Sequence, residues 1–476
     1  MLTMSVTDLV RATGATVLSE GAPEVKGTVV IDSRAVEPGS VFVAFKGEKV
    51  DGNAYLDAAL NAGAALVVAT AEPAPSTLEL ARARKATVLR AANDDGIAWM
   101  LAAARAWREA HPEWVVLGVT GSVGKTTTKE MLAAGVASQR RCFRTQGNLN
   151  SLYGLPMTLF SVPEGTEVVV AEMGMDHPHE IDRMSEAAAP VMAVVTNVGT
   201  SHIGALGSRE NIACAKAEIV SGMRAHEGVE PALFQLKDGD FTPLISDAAD
   251  KAGVESVLVG GRDGFPRAEG VAMDGEGRAH FTLACADGWS RQVALGVPGA
   301  KVVDDFLLAF AVIERLGLDR NTAVDAIEQM RATSMRLDVR TTASGARVID
   351  DSYNAAPASM ASSLDVLAAM SATGRKIAVL GEIAQLGDDD RRLHGYVGAY
   401  AAAKGVDLLV LIGGTLADEM AEAARTMGLS EDAIERFATV EDAVRVMGSV
   451  LTKGDVVLVK ASRAAGLDAF VEGVLA

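Results

Sequence analysis

The stretch Gly118-Val-Thr-Gly-Ser-Val-Gly-Lys-Thr-Thr-Thr128 lies between an apolar run, residues 114–117, and a helix-forming run, residues 129–134. A strand, a glycine-rich turn and a helix start surround an anion with backbone N–H groups and the positive end of a helix dipole. Lys125 adds a positive charge for terminal phosphates, and Thr126 adds a hydroxyl group suited to Mg²⁺. The stretch therefore predicts a nucleoside triphosphate site, with phosphate contacts from Gly121, Ser122, Val123, Gly124, Lys125, Thr126 and Thr127.

Length, charge and cysteine usage narrow the class of protein. The 476 residues predict about three domains. Because 62 acidic residues outnumber 44 basic ones, the net charge of -18 repels phosphate backbones, and we expect no nucleic-acid partner. Three cysteines without paired spacing are typical of a reducing compartment. No signal-peptide pattern is visible and the apolar runs are too short to span a bilayer, so we expect a cytoplasmic protein without membrane insertion. We also expect a monomer.

Apolar strands alternate with helical stretches in three blocks, which we place at residues 1–90, 91–333 and 334–476. Continuous apolar strands separated by helices imply a parallel sheet covered on both faces, and therefore an α/β fold. The proline-rich residues 71–76 are predicted to form a surface loop. Residues 260–292 are predicted to form an antiparallel excursion at the sheet edge. The predicted strands are residues 28–31, 41–45, 65–68, 167–171, 191–195, 347–350, 376–380, 408–412 and 456–459.

Polar side chains follow two of the central strands. Glu172 comes directly after residues 168–171, and His202 follows the next apolar strand across a short loop. Ligands of open parallel sheets bind beyond the carboxyl ends of the strands, so this carboxylate and imidazole are candidate metal ligands. Lys216 follows on a predicted helix, residues 211–223. Taken singly, Glu172 and His202 also fit solvated or capping residues, and Lys216 also fits a solvated surface lysine.

A set of motifs along almost the whole chain resembles the Mur ligase family. Residues 120–127 are similar to the phosphate loop of Mur ligases and folylpolyglutamate synthases, although Val119 stands where the strict Walker pattern has a glycine. Folylpolyglutamate synthases are not expected to carry the Asp32-Ser-Arg34 or Asp350-Asp-Ser-Tyr-Asn-Ala355 motifs. The matching motifs, in chain order, are residues 31–34, 45–48 with 51–52, 147–150, 172–174, 196–199, 215–219, 350–355, 379–382 with 386–387, and 460–463.

The resemblance implies an architecture and a reaction. It implies a central parallel-sheet, P-loop ATPase-like domain, flanked by an N-terminal α/β UDP-precursor-binding domain and a C-terminal Rossmann-like α/β ligase domain. The implied reaction is ATP- and Mg²⁺-dependent amide ligation in peptidoglycan precursor synthesis, with UDP-N-acetylmuramoyl-tripeptide and D-alanyl-D-alanine as substrates.

The resemblance also implies roles for particular residues. Lys125, Lys216 and Arg336 are the implied catalytic residues, and Lys216 would carry a carbamate. Beyond the phosphate loop, the implied ATP contacts are Arg336, Asp351 and Tyr353. The implied metal ligands are Thr126, Glu172, His202 and Lys216, and the implied substrate contacts are Ser33, Arg34, Asn148 and Asn150.

Several positions depart from the family pattern. Lys301 and Asp305 stand where the family has a histidine and an asparagine. The family's asparagine contacts adenine, whereas an ionised aspartate only accepts hydrogen bonds. Ala356 and Ser151 replace asparagines, and Asn53 replaces a histidine. These changes affect the adenine contacts and part of the substrate cleft, and they leave the predicted metal and phosphate residues intact.

Alternative functions remain open at this point. One is a related ligase that adds a different amino acid, and another is a folylpolyglutamate synthase. A third is a non-catalytic paralogue that binds the UDP-precursor without ATP turnover. The replaced adenine-side residues favour the third, whereas the presence of Lys125, Glu172, His202 and Lys216 counts against it. His394 is a candidate for binding or proton transfer, or else an exposed helix histidine.

Overall fold

The structure is a computed structural model that describes residues 1–47 and 50–476. Its main sheets have five, six and six strands, and each is built from a consecutive part of the chain. Helices alternate with most strands of these three sheets, so the predicted α/β fold is confirmed. Glu48, part of one family-like motif, lies outside the described residues.

The N-terminal part carries the five-stranded sheet. Its elements are β1 (Leu2–Ser5), α1 (Val6–Thr13), β2 (Thr16–Ser19), β3 (Glu24–Gly27), β4 (Val29–Val30), β5 (Val41–Val43), α2 (Leu56–Ala62), β6 (Leu66–Ala69), α3 (Pro75–Arg84) and β7 (Thr87–Arg90). The strand order is β2-β7-β6-β5-β4, parallel except for β2. Strands β1 and β3 form a separate antiparallel pair.

The central part carries a six-stranded parallel sheet. Its elements are α4 (Gly96–Glu109), β8 (Val115–Thr120), α5 (Lys125–Ala137), β9 (Cys142–Arg144), α6 (Gly154–Phe160), β10 (Val168–Glu172), α7 (Ile181–Ala188), β11 (Met192–Val195), α8 (Ile203–Leu206), α9 (Arg209–Ala217), β12 (Ala232–Leu236), α10 (Thr242–Lys251) and β13 (Glu255–Val259). The strand order is β13-β12-β11-β8-β10-β9. The phosphate-loop strand β8 therefore lies between β10 and β11, which lead to Glu172 and His202.

The predicted antiparallel excursion forms a sheet of its own. It consists of β14 (Arg267–Met273), β15 (Arg278–Ala284) and β16 (Ser290–Pro298), followed by α11 (Val302–Arg315) and α12 (Arg320–Glu328). Helix α11 returns to pack beside α5. Side chains of β8 alternate between two layers, as the period of two in a strand requires. Leu117 and Val119 pack with Phe306 of α11, whereas Val116 packs with Trp99 of α4.

The C-terminal part is a second six-stranded sheet with helices on both faces. Its elements are β17 (Asp338–Thr341), β18 (Arg347–Asp350), α13 (Pro357–Ala369), β19 (Lys376–Gly381), α14 (Asp390–Ala403), β20 (Leu408–Ile412), α15 (Thr415–Thr426), β21 (Ile434–Phe437), α16 (Val440–Val450), β22 (Val456–Lys460) and α17 (Asp468–Leu475). The order is β17-β18-β22-β19-β20-β21, parallel except for β17. Helices α13 to α15 pack on one face, and α16 and α17 pack on the other.

Two local expectations were wrong. The predicted loop at residues 71–76 ends early, because Pro75 begins helix α3. Proline is tolerated there because the first turn of a helix has no partner for its N–H groups. The predicted helix at residues 211–223 is helix α9, which ends at Ala217 and continues as a 3-10 turn, Glu218–Gly222. Among the described residues, no helix combines the length and the apolar character needed to cross a bilayer.

Candidate active site

Residues of the central and C-terminal parts line one cleft of 380 Å³, a volume typical of small-molecule sites. The central part contributes the carboxyl ends of its strands, as expected for a parallel sheet. The cleft is lined by every phosphate-loop residue from Gly121 to Thr127. It is also lined by these other predicted site residues: Asn148, Asn150, Glu172, His202, Lys216, Arg336, Asp351 and Tyr353.

The phosphate loop is held in a conformation that requires glycine. Gly121 and Gly124 have φ angles of 151° and 87°, a region that side chains disfavour. A Cβ atom on Gly121 would lie 1.8 Å from Thr196 Oγ1. Asn197 fixes the loop by accepting a hydrogen bond from Val123 N (3.0 Å) and donating one to Val123 O (2.8 Å). The Thr196-Asn197 motif therefore supports the loop from the neighbouring strand.

Lys125 begins helix α5, and its ammonium group turns back to donate to Gly121 O at 2.7 Å. Burial lowers the pKa of Lys125; the Glu172 carboxylate opposes this, and the positive charge of Arg336 adds to it. The concentration of positive charge here suits an anionic ligand such as a phosphate group. Lys125 lies at a helix start, beside backbone N–H groups, as the sequence predicted.

Glu172 ends strand β10 and is 2% exposed. Its carboxylate accepts hydrogen bonds from Thr126 Oγ1 (3.1 Å) and Asn150 Nδ2 (2.8 Å). Burial alone would raise the pKa of Glu172, but the charges of Lys129 and Lys125 outweigh burial and leave the pKa below its ordinary value. The site thus presents a fixed carboxylate next to a hydroxyl group, the pair that the sequence predicted for a metal ion.

His202 and Lys216 are the other two predicted ligands. His202 immediately precedes α8 in a left-handed conformation, φ 63°. Its buried Nδ1 is 2.9 Å from Asp176 Oδ1, yet the geometry does not align an N–H group with that oxygen. Lys216 is 2% exposed, so it is not the solvated surface lysine that the sequence also allowed. Burial and the charge of Lys125 lower the pKa of Lys216 well below its ordinary value.

The C-terminal part contributes Arg336, whose guanidinium lies 4.1 Å from the centre of the Tyr353 ring. The residues on either side, Met335 and Leu337, have φ angles of 63° and 55°. Such left-handed conformations cost about 1–3 kcal/mol each for residues with a side chain and cluster at functional sites. The backbone is therefore strained at the point where Arg336 enters the cleft.

Asp351 lines the cleft, but its carboxylate is already engaged by protein groups. Lys460 Nζ donates to Oδ2 at 2.5 Å and Ser363 Oγ donates to Oδ2 at 2.6 Å. Leu337 N donates to Oδ1 at 3.2 Å. A ligand contact by Asp351 would therefore use a remaining lone pair of an oxygen that is held in place. Lys460 is 3% exposed, and its pairing with Asp351 was not predicted from the sequence.

Asp305 lies against the phosphate loop. It accepts a hydrogen bond from Thr128 Oγ1 at 3.1 Å, and its Oδ1 would be 2.2 Å from a Cβ on Gly124. Burial raises the pKa of Asp305 well above its ordinary value, Asp304 adds to the rise, and Thr128 and Lys301 oppose it. A carboxyl group both donates and accepts when it is protonated and only accepts when it is ionised, so the rise in the pKa of Asp305 favours the form that can do both.

Two predicted substrate residues, Ser33 and Arg34, lie outside the cleft. They belong to a 3-10 turn, Ser33–Ala35, in the N-terminal part. Arg34 is 89% exposed and pairs with Asp32 at 2.7 Å. The hydrogen bond from Arg34 lowers the pKa of Asp32 to about 2. Asn148 and Asn150, by contrast, line the cleft.

His394 is neither a cleft residue nor an exposed one. It is fully buried in α14, where Nε2 accepts from Ile383 N at 2.8 Å and Nδ1 lies 2.7 Å from Asp390 O. Its role is to hold the loop after β19, which contributes Ala384 to Leu386 to the cleft. The expectation of an exposed helix histidine was wrong, because an isolated histidine in a sequence does not reveal what packs around it.

Comparison with known proteins agrees with this geometry. Residues 27–108, 119–313 and 335–463 match the family models described as Mur ligase family, catalytic domain; Mur ligase middle domain; and Mur ligase, glutamate ligase domain. The UDP-N-acetylmuramoyl-tripeptide–D-alanyl-D-alanine ligase of Bacillus subtilis is 33% identical over 447 residues, covering 94% of this chain and 93% of that protein.

Solved structures extend the match to the fold. A crystal structure of MurF from Acinetobacter baumannii has a TM-score of 0.88 and 27% identity, and the match covers 100% of this chain and 99% of that one. MurF from Thermotoga maritima, solved in complex with ADP, has a TM-score of 0.79 and 26% identity, covering 94% and 97%. This similarity along the chain, together with the cleft, shows that the protein belongs to the Mur ligase family.

Proposed function

We propose that this protein is an ATP-dependent ligase that joins D-alanyl-D-alanine to UDP-N-acetylmuramoyl-tripeptide. The observation that carries the proposal is the single cleft, in which the phosphate loop, Glu172, His202, Lys216 and Arg336 meet. A chain that is 33% identical along 94% of this one bears the name of that ligase. A ligase of another amino acid and a folylpolyglutamate synthase are disfavoured by this match over all three parts of the chain.

The residues present suit Mg²⁺. Glu172 and Thr126 offer hard oxygen ligands, and the buried Nδ1 of His202 lacks an aligned hydrogen-bond partner. Oxygen ligands with a single imidazole are acceptable to this ion. Bound Mg²⁺ would supply positive charge to the transferring phosphoryl group. We infer that Thr126, Glu172, His202 and a carbamate on Lys216 hold the ion or ions.

Carbamylation of Lys216 fits its surroundings. Lys216 is 2% exposed and lines the cleft beside Glu172 and His202. The nitrogen of a neutral amine forms a bond to the carbon of CO₂ and loses a proton, which leaves an anionic carbamate. A cation nearby stabilises that product. The reaction converts a positive side chain into an oxygen ligand at the same place.

The first chemical step transfers a phosphoryl group. A carboxylate oxygen of the tripeptide end bonds to the γ-phosphorus, and the bond from that phosphorus to ADP breaks, which yields an acyl phosphate. Lys125 and the loop N–H groups hold the phosphates, and Arg336 approaches from the C-terminal part. Their charges stabilise the transition state by position and electrostatics.

The second step forms the amide. The amine nitrogen of D-alanyl-D-alanine bonds to the acyl carbon, the carbon–oxygen bond to phosphate breaks, and the nitrogen loses a proton. We propose that Asn148 and Asn150 position the muramoyl end, and that the half-buried Ser33 and the exposed Arg34 meet the UDP end outside the cleft. Asp351 and Tyr353 would contact the nucleotide. Both steps require the domains to close first, which brings ATP, the carboxylate and the amine together and excludes water.

The test is phosphate release by the purified protein. UDP-N-acetylmuramoyl-tripeptides with different third residues are supplied with ATP and Mg²⁺, together with D-alanyl-D-alanine, single amino acids or glutamate. We expect turnover with D-alanyl-D-alanine and a new amide bond in the product by mass spectrometry. Turnover with glutamate, when a folyl acceptor replaces the UDP-precursor, would support a folylpolyglutamate synthase. Binding of the UDP-precursor without turnover would support the non-catalytic alternative.

A further inference from the structure

Lys129 is a buried lysine that has none of the roles proposed above. It lies one helical turn after Lys125 on α5 and is 1% exposed. Lysine is almost never fully buried unless it is paired, because removing an ammonium group from water is costly. Its partners therefore indicate what the buried charge does.

The Lys129 ammonium group is surrounded by oxygens from three residues. It donates to Thr145 O at 2.9 Å and lies 3.3 Å from Glu130 Oε1. It is also 3.5 Å from Glu172 Oε2. Glu130 is also paired with Arg144 at 2.5 Å. For Glu172, burial raises the pKa, and Lys129 is the charge that opposes this most strongly, ahead of Lys125.

These contacts hold Glu172 at both its backbone and its side chain. Thr145 Oγ1 accepts from Glu172 N at 3.0 Å, while Lys129 holds Thr145 by its carbonyl group. The carboxylate itself is bounded by Thr126, Asn150 and Lys129. Thr126 and Asn150 line the cleft, whereas Lys129 does not and approaches from within the protein.

We propose that Lys129 is a positioning residue that fixes the Glu172 carboxylate for a divalent cation in the cleft. The inference rests on the proposed function, because it takes Glu172 as a metal ligand. Without a cation, a buried carboxylate needs a countercharge to stay in its place. Lys129 supplies that charge from behind and leaves the cleft side free. Residues that orient a metal ligand typically change metal affinity by about 10- to 100-fold when removed.

The experiment measures the Mg²⁺ requirement of nucleotide binding. In Lys129→Met, the side chain keeps its length and loses its charge. ADP binding is followed by calorimetry while Mg²⁺ is varied, and again in EDTA. We expect the Mg²⁺ concentration for half-maximal binding to rise about tenfold, with binding in EDTA unchanged. Lys251→Met is the matched control, because Lys251 is an exposed lysine paired with Asp247 on α10.

Two further variants separate positioning from a merely structural role. Lys129→Arg restores the charge and should recover part of the Mg²⁺ response. If Lys129→Met does not fold, Lys129→Gln, which keeps a donor for Thr145 O, takes its place in the titration. An unchanged Mg²⁺ requirement in a folded variant, or an equal loss of binding in EDTA, would overturn the inference. If ADP binding by the wild-type protein does not depend on Mg²⁺, the proposed function fails together with the inference. If only the variant fails to show the expected change, the inference alone is wrong.

Discussion

Lys125, the first residue of α5, is predicted to meet the phosphates with its positive charge. Lys125→Ala should lower ligation by about 100-fold or more, because one preorganised donor to the transferring group is lost. Thermal unfolding should stay within about 0.5 kcal/mol of wild type, since the residue fills no core position. Phosphate release and calorimetry check both parts, with Lys251→Ala as the control. Near-normal turnover in the variant would refute the phosphate-loop assignment.

Asp305 is predicted to make the discrimination between adenine and guanine nucleotides depend on pH. Its raised pKa, caused by burial, keeps the carboxyl group neutral below that pKa and able to both donate and accept. Above it the group only accepts, so we expect discrimination between ATP and GTP to relax as the pH rises. Dissociation constants for both nucleotides, measured at the lowest and the highest pH at which the protein stays folded, test this. Lys301 and Asp304, the charged neighbours of Asp305, are the same residues in the parent protein and in the variant described next.

The matched variant for this prediction is Asp305→Asn. An asparagine donates and accepts at every pH, so its discrimination between the two nucleotides should not change with pH. Strict ATP preference in the parent at both pH values, with no gain in Asp305→Asn, would contradict the prediction.

Lys216 is predicted to carry a carbamate in the working enzyme. Lys216→Ala loses this ligand, and ligation should fall by about 100-fold. Acetate or formate, added at constant ionic strength, should partly restore the rate by occupying the vacated space. Full activity of Lys216→Ala without any additive would refute the assignment. A mass increase of one CO₂ on the wild-type protein, absent from the variant, is an independent check.

At the scale of elements, α14 and the loop after β19 depend on one buried histidine. His394→Ala leaves Ile383 N without its acceptor, and an unpaired buried N–H group costs about 1–3 kcal/mol. We therefore expect a lower urea midpoint for the full chain. His280→Ala, on the exposed side of β15, is the control. Equal midpoints for the two variants would show that His394 does not hold this loop.

The whole molecule brings the central and C-terminal parts together beside His202. Gly204 N donates to Gln385 O at 3.3 Å, and a Cβ on Gly204 would lie 2.9 Å from Gly387 N. Gly204→Ala suits helix α8 but should obstruct this contact. We expect ligation to fall about 100-fold, since small misplacements of reacting groups have effects of that size.

ADP binding to Gly204→Ala should weaken less than ligation, because the phosphate loop belongs to the central part and only the proposed contacts of Asp351 and Tyr353 come from the C-terminal part. Calorimetry checks this beside the ligation assay. Gly448→Ala is the matched control, because a Cβ at that exposed helix position meets no atom within 4 Å. Normal ligation by Gly204→Ala would show that the contact between the two parts is not needed for the reaction.

The N-terminal and central parts also share a hydrophobic core. Leu2, Leu9 and Val25 belong to the same buried cluster as Trp99 and Trp107 of α4. Helix α4 packs against α1 on one side and against α6 and α7 on the other. The boundary that we place at residue 90 thus precedes a helix common to both parts, and this sharing positions the exposed Arg34 relative to the cleft.

The sequence alone was sufficient for the family, the α/β fold and the phosphate loop. Strands such as Arg347–Asp350 and Leu408–Ile412 were predicted with their observed bounds. The reason is that these features are local: an apolar run, a glycine turn and a helix start act through neighbours in the chain. Among the residues that line the cleft, Glu172 and His202 follow from the rule that strand ends in a parallel sheet converge on one edge. Arg336, Asp351 and Tyr353 followed only from the family resemblance.

Tertiary structure alone decided which charges are buried and what they touch. Lys129 reads as a polar helix residue until Thr145 and Glu172 are packed around it. Thr128 and Asp305 are 177 residues apart in the chain, yet their side chains form a hydrogen bond. Burial raises the pKa of Asp305 there, and the hydrogen bond from Thr128 opposes the rise. Desolvation and hydrogen bonding depend on groups brought together from distant segments, so no pattern within one segment records them.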